Sequence, residues 1–175
     1  VTSVRFTPDN KYVGSASHDR SVRLWDIASG EEIASFSDQD HLIECIDFTP
    51  DGQRIASTNG NTIRIWEVAT GEDVQVLTGH TDGVTYVTFN QTGTLLASAS
   101  KDKSVRIWDW ERGALVAVLE GHEDVVNCVG FSPDDQQVVS ASADTTARIW
   151  TLEGEEEFKL KSKDELIYTV CFSPD

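Results

Sequence analysis

The strings SVRLW, TIRIW, SVRIW and TARIW end at Trp25, Trp66, Trp108 and Trp150, so one pattern returns at steps of 41, 42 and 42 residues. A fixed period of this length means that one small supersecondary unit is stacked several times, which decides the architecture before any local motif does. A second marker keeps the same interval. VRFTPD, IDFTPD, VTFNQT, VGFSPD and VCFSPD place Phe6, Phe48, Phe89, Phe131 and Phe172. The chain therefore holds four full periods and a fifth copy of the opening segment. The second copy is one residue short, with STNGNT where the others have SASHDRS, SASKDKS and SASADTT.

Each period reads as four short strands. In the third copy they are GVTYVTF, TLLASAS, SVRIWD and LVAVLE, partly β-branched or aromatic and bounded by turn residues. Asn10, Gly52, Gly93 and Asp135 close the turns TPDN, TPDG, NQTG and SPDD. All four tolerate a left-handed backbone, which a type I turn followed by a positive-φ residue requires. Gly30, Gly71, Gly113 and Gly154 follow the Trp strand, where the next hairpin turns. No window has sustained helical spacing. Four-stranded antiparallel units at this period predict an all-β chain of propeller blades rather than a sandwich.

Gly79-His80 and Gly121-His122, with Trp25-Asp26 and Trp108-Asp109, carry a family resemblance. Over its whole length the sequence resembles a WD-repeat β-propeller, with these pairs matching the GH and WD elements. Two copies depart, with Glu67 after Trp66 and Thr151 after Trp150. SDQDH offers only His41, two positions out of register, and KSKDE replaces the last GH. The resemblance implies blades over 1–38, 39–79, 80–121 and 122–163, with 164–175 as an extra inner strand. Members most often close with seven blades, roughly 290 residues at this period. The chain begins and ends at the same phase of the repeat. Three readings follow: an open arc of a larger, typically seven-bladed ring; two copies pairing into eight blades; or a closed four-bladed ring. An open arc would leave apolar faces bare at both ends, so self-association through those edges is expected.

The resemblance also implies a buried hydrogen-bond relay in each well-formed blade. In the third it joins His80, Ser98, Asp102 and Trp108, and in the fourth His122, Ser140, Asp144 and Trp150. The first blade keeps Ser15, Asp19 and Trp25. The second has Trp66 and Ser57, with Asn59 or Asn61 near the Asp position. A buried indole N–H, a neutral imidazole and a hydroxyl all need partners, and a carboxylate fixes the tautomer. Ser98 and Ser100 point to the same side of their strand, and spacing does not choose between them. Ser, His and Asp together also suggest a hydrolase triad. A catalytic set occurs once, with its nucleophile on a strained elbow such as GxSxG. Here the set recurs with the fold and no such elbow exists, so the residues are assigned to architecture.

Arg23, Arg64, Arg106 and Arg148 sit two before each Trp, on the same strand face. Their stems are expected to cover the indoles, with a cation–π contribution, rather than to form a phosphate-binding ring. Cys45 and Cys128, each three before a Phe, read as small buried hydrophobes. GHEDVV lacks the second His of HExxH, and no Gly-rich phosphate loop or EF-hand loop appears. No catalytic residue, cofactor site or metal site is expected. The acidic EGEEE cluster reads as a solvated turn.

Thirty acidic against 14 basic residues give a net charge of −16, which disfavours phosphate backbones and anionic membrane surfaces alike. No apolar run of transmembrane length occurs. Three cysteines without CxxC spacing argue for a reducing, intracellular setting, cytoplasmic or nuclear. The chain opens on Val1 and contains no Met, so Val1 is not expected to be a native start and a missing signal peptide carries no weight. The reading is a non-catalytic scaffold that binds protein or peptide partners through its loop faces. The alternative is a regulatory propeller of a larger signalling protein or enzyme, with activity elsewhere. By resemblance, partners dock on the face carrying the GH loop and the turn between second and third strands. That selects His18, Asn59 and Lys101 before the relay Asp positions, and Leu42, Glu44, Thr85, Asn127 and Tyr168 at the openings of the inner strands. Tyr168, Leu42, Lys101 and His18 are the better anchors, being aromatic, apolar or cationic.

Overall fold

A computed structural model describes residues 1–36, 40–163 and 165–174. Among them sixteen strands and no helix are found. The expected blade boundary at 38/39 and residues 164 and 175 lie outside this description. The first sheet contains β1 (Ser3–Phe6), β2 (Tyr12–Ala16), β3 (Val22–Asp26) and β4 (Glu32–Phe36). The second contains β5 (Ile46–Phe48), β6 (Arg54–Asn59), β7 (Thr62–Glu67) and β8 (Asp73–Thr78). The third contains β9 (Val84–Phe89), β10 (Leu95–Ser100), β11 (Val105–Asp109) and β12 (Ala114–Leu119). The fourth contains β13 (Val126–Phe131), β14 (Gln137–Ser142), β15 (Thr146–Thr151) and β16 (Glu156–Lys161). Every sheet is an antiparallel meander in sequence order, and the four are not closed into a ring.

Turn chemistry cuts the strands where the sequence placed the cuts. Asn10, Gly52, Gly93 and Asp135 all have positive φ, between 56° and 72°. In every blade the pairing of third and fourth strands shifts register immediately before the Trp, at Leu24/Trp25, Ile65/Trp66, Ile107/Trp108 and Ile149/Trp150. A bulge bends its strand and re-aims a side chain, and here it recurs at each indole.

The core is three interfaces rather than one centre. One cluster joins Ile46 and Trp66 of the second blade to Ala16, Val22 and Leu24 of the first. The next joins Ile63, Ile65 and Leu77 to Val87, Leu96 and Trp108, and the last joins Ala99, Ile107 and Leu119 to Val129, Val138 and Trp150. Each inner strand packs on the inner strand of the next blade. Outward faces of the first and fourth sheets carry exposed Val4, Phe6, Phe158 and Leu160.

The blades are also clipped turn to turn. A Cβ on Gly52 would meet Pro8 Cδ at 3.4 Å, and one on Gly93 would meet Pro50 Cδ at 2.9 Å. Where Gln91 replaces the proline, the following blade has Asp135 instead of glycine. The Asp135 carboxylate accepts the Gln91 N–H at 2.9 Å and the Thr92 N–H at 3.0 Å. A proline offers no N–H, so the residue chosen on one turn matches the residue on its neighbour.

Residues 165–174, expected to form an extra inner strand, follow β13 without joining a strand ladder. Asn127 Nδ2 donates to the Ile167 carbonyl at 2.9 Å, and Ile167 N–H donates to the Ser142 carbonyl at 3.2 Å. The segment thus occupies the place of a next inner strand. No second strand of its own lies beside it among the described residues, so the ladder that defines a sheet is not formed.

Candidate functional site

β10 and β11 set the third blade's relay. The Trp108 indole N–H donates to Ser98 Oγ at 2.9 Å, and Ser98 Oγ lies 2.8 Å from His80 Nε2. His80 Nδ1 lies 2.8 Å from Asp102 Oδ2. The fourth blade repeats this with Trp150–Ser140 at 2.8 Å, Ser140–His122 at 2.8 Å and His122–Asp144 at 2.8 Å. With an ionised carboxylate at Nδ1, the network assigns the proton to Nδ1 and leaves Nε2 to accept the serine hydroxyl. Ser98 and Ser140 are fully buried, and His80 and His122 nearly so.

Burial lowers both imidazoles below their ordinary value of 6.5, against the opposing pull of Asp102 and Asp144. The carboxylates move the other way. Burial alone would raise Asp102, but the Ser104 hydroxyl, His80 and the Thr81 N–H hold it at about 2. Asp144 is likewise held well below the usual carboxylate range despite burial, by the Thr146 hydroxyl, the Glu123 N–H and His122. The relay therefore holds a neutral imidazole beside an ionised carboxylate.

Ser100 plays a different part from Ser98. Its hydroxyl donates to the Asp82 and Gly83 carbonyls and accepts the Asp102 N–H, which ties down the turn. Sequence reasoning missed a third hydroxyl. Ser104 and Thr146 each donate to the relay carboxylate at 2.6 Å, as Ser21 does to Asp19. The signal was present, since each stands two residues after the Asp. In the first blade Trp25 donates to Ser15 at 2.9 Å with the indole only half-buried. Trp66 donates to Ser57 at 2.9 Å. His41 does not enter a relay. Its backbone N–H donates to Asn59 Oδ1 at 3.1 Å, and its ring covers Gly60, where a Cβ would stand 2.7 Å from Cδ2. Asn61 Nδ2 donates instead to the His80 carbonyl at 3.2 Å.

The arginines lie along the indoles, with Cζ at 4.3 Å from the Trp66 ring for Arg64, 6.0 Å from Trp108 for Arg106 and 5.8 Å from Trp150 for Arg148. Arg23 instead spans Asp19 and Glu32. Arg148 pairs with Glu156 at 2.6 Å, and Arg64 pairs with Asp73. Arg106 and Arg148 press on Gly79 and Gly121, where any Cβ would strike the guanidinium. Those glycines also have positive φ of 156° and 150°, a backbone that L side chains rarely adopt, and this is what favours glycine in the GH pair.

The eight candidate contact residues do not form one surface. Thr85 Oγ1 donates to the Val126 carbonyl at 2.5 Å, and Asn127 reaches Ile167, just as Thr2 Oγ1 donates to the Ile43 carbonyl at 2.6 Å. This position, four before the Phe, clips one inner strand to the next. Thr85 and Asn127 are therefore engaged within the protein, and Asn59 is buried. His18 Nε2 stands 3.3 Å from Glu44 Oε2 across the first two blades. Leu42, Glu44 and Lys101 share a cleft with His41, Gly60, Gly83 and Val84. Tyr168 is 70% exposed.

Along the inner strands lies a further polar group that the sequence did not announce. Arg5 reaches the Tyr86 hydroxyl two blades away, and its Nε stands 3.7 Å from Asp47 Oδ1. Asp47 Oδ2 accepts the Phe89 N–H at 2.9 Å and the Thr88 hydroxyl at 3.0 Å. Burial raises Asp47 above the usual carboxylate value even so. Cys45 and Cys128 are buried, and burial pushes the Cys45 thiol up to about 11.

Four packed meanders, each with a bulge at an indole that donates to a serine hydroxyl and two of them with the full relay, define a WD-repeat β-propeller, and the chain belongs to that family. The family model described as IFT122 first beta-propeller matches residues 42–175, and that of the WD domain, G-beta repeat, matches residues 1–26. Among curated relatives, WD repeat-containing protein SL1-17 of Schistosoma mansoni is 31% identical over 101 residues, 58% of this chain and 34% of that protein. Pre-mRNA-processing factor 19 homolog 2 of Arabidopsis thaliana is 36% identical over 105 residues, 58% of this chain and 20% of that protein. Transcription initiation factor TFIID subunit 5 of Caenorhabditis elegans is 26% identical over 106 residues, 59% of this chain and 16% of that protein. The matched stretches thus cover about a third or less of these relatives' own length. Propellers of this family are generally non-catalytic and typically act as protein-interaction scaffolds. No helix among the described residues is long and apolar enough to cross a membrane.

Proposed function

We propose that this protein is a non-catalytic scaffold that presents the loop face above the relays to protein or peptide partners. The observation that carries this reading is that the Ser–His–Asp set occurs twice in the same geometry, with its serine buried and already bonded to an indole. A nucleophile must be exposed to substrate and activated by a base whose proton can leave. Here the serine oxygen accepts an indole N–H, and the imidazole is walled in. The net charge of −16 supports protein or peptide partners over nucleic acid or membrane, and three cysteines without CxxC spacing support a cytoplasmic or nuclear setting. The exposed apolar faces of the first and fourth sheets support self-association as well. A second reading, a regulatory propeller whose associated activity lies elsewhere, rests on the small share of each relative that is matched.

Two measurements test the scaffold. A fluorophosphonate probe should leave Ser98 and Ser140 unlabelled in the folded protein, and labelling of either would refute the architectural role. A photo-crosslinking residue placed at His18 or Tyr168 should trap partner polypeptide, whereas one at Ser29, in the turn after β3, should not. Equal trapping at the two places would refute the choice of face.

A further inference from the structure

On the loop face, and resting on the scaffold reading, the second blade departs from the others in a way that makes a specific site. Its turn between β6 and β7 is one residue short and lacks the relay Asp, so His41 is not drawn inward. The His41 ring lies across Gly60 instead, and Leu42 beside it is turned out to the lip, 48% exposed. On the other wall the Lys101 stem crosses Gly83, with Cδ 3.5 Å from where a Cβ would stand. The two glycines and buried Val84 leave a cleft of about 180 Å³ between the second and third blades. That is well under the roughly 300–1,000 Å³ of small-molecule pockets and suits one anchoring side chain.

The electrostatics choose the kind of anchor. Glu44, the carboxylate lining the cleft, is held by a hydrogen bond to His18 Nε2 of the first blade at 3.3 Å. The Lys101 ammonium makes no ion pair or hydrogen bond among the described residues. Other cations that line clefts are paired, Arg54 with Glu67 and Lys11 with Asp9, whereas Lys101 lines this one with its ammonium unpaired beside exposed Leu42. The net charge does not cancel it, because exposed charges beyond a screening length of about 8 Å hardly act at physiological salt. We propose that this cleft anchors a partner peptide that carries an apolar side chain next to a carboxylate. The apolar group packs against Leu42 and Val84 while the carboxylate pairs with Lys101.

The test is a ¹⁵N-resolved NMR titration of the full chain with three blocked hexapeptides that alternate Leu with Glu, Lys or Gln. The Leu–Glu peptide should shift the amides of Gly60, Gly83 and Lys101 saturably, and the Leu–Lys peptide should not. Lys101→Glu should weaken the Leu–Glu peptide about fivefold to tenfold, whereas Lys159→Glu on the exposed strand β16 should leave it unchanged. Equal shifts from the Leu–Lys peptide, or a Lys101→Glu protein that binds Leu–Glu as before, would overturn the proposal. Shifts elsewhere on the loop face would overturn the cleft and leave the scaffold reading standing. Absence of shifts from all three peptides would overturn the cleft, and the scaffold reading would then stand or fall on the crosslinking at His18 and Tyr168.

Discussion

Replacing Ser98 with alanine removes one oxygen and strands two buried neighbours. The Trp108 N–H loses its acceptor at 2.9 Å and His80 Nε2 loses its donor at 2.8 Å. A buried polar group left unpaired costs about 1–3 kcal/mol, so with two stranded Ser98→Ala should cost about 2–6 kcal/mol. Ser15 stands at the same strand position in the first blade, but its partner Trp25 is only half-buried and can turn to water. Ser15→Ala should therefore cost about 1 kcal/mol or less. For a chain of this size each kcal/mol moves Tm by about 2–4 °C. A loss of about 3 kcal/mol then lowers Tm by about 6–12 °C for Ser98→Ala and equally for Ser140→Ala, against a few degrees at most for Ser15→Ala. Thermal unfolding followed by Trp fluorescence reads all three. Equal decreases at Ser15 and Ser98 would refute the claim that burial and the histidine make the relay matter.

Further expectations follow from the turns, the imidazoles and the thiols. Gly93→Ala should destabilise by about 1–2 kcal/mol, because φ is 72° and the new Cβ would stand 2.9 Å from Pro50 Cδ; an unchanged denaturant midpoint would contradict the turn-to-turn fit. Thr145 is β-branched at φ 69°, so Thr145→Asn should stabilise by about 0.5–1 kcal/mol in the same assay; a loss of stability would count against that strain. Because His80 and His122 are lowered in the fold, the unfolded chain binds more protons below the ordinary 6.5, and stability should fall as pH drops through that value. A second loss should begin below the ordinary carboxylate value of 3.8, since Asp102 is held at about 2; a pH series of unfolding curves that is flat from 7 to 4 would contradict the first loss, and one flat from 4 to 2 would contradict the second. Of three free thiols, only exposed Cys171 should react promptly with a thiol reagent under native conditions, with Cys45 and Cys128 following on unfolding.

What could be read from the sequence was what repeats. Period, turn residues and the indole strands announce themselves because each copy restates them, and Asn10, Gly52, Gly93 and Asp135 turn where their chemistry requires. Ser98 could not be told from Ser100 because a strand's period of two puts both on one face. Only the positions of Trp108 and of the Asp82 and Gly83 carbonyls separate them. Thr85 and Asn127 looked available to partners because they stand at the openings of the inner strands. The curvature of the arc brings the next inner strand against them. The same curvature joins Arg5 to Tyr86 across two blades, a contact that no local pattern encodes. The cleft at Leu42 and Lys101 arises from a missing residue, which a repeat reveals as an irregularity without showing what fills the gap.

The account stands on the Ser–His–Asp sets being built into the architecture, and the protonation of their imidazoles reports on that directly. Long-range ¹H–¹⁵N spectra at pH 7 should show His80 and His122 both neutral, both protonated at Nδ1 and both titrating below 6.5. An imidazole protonated at Nε2, or one of the two titrating above 6.5 while its twin does not, would contradict it.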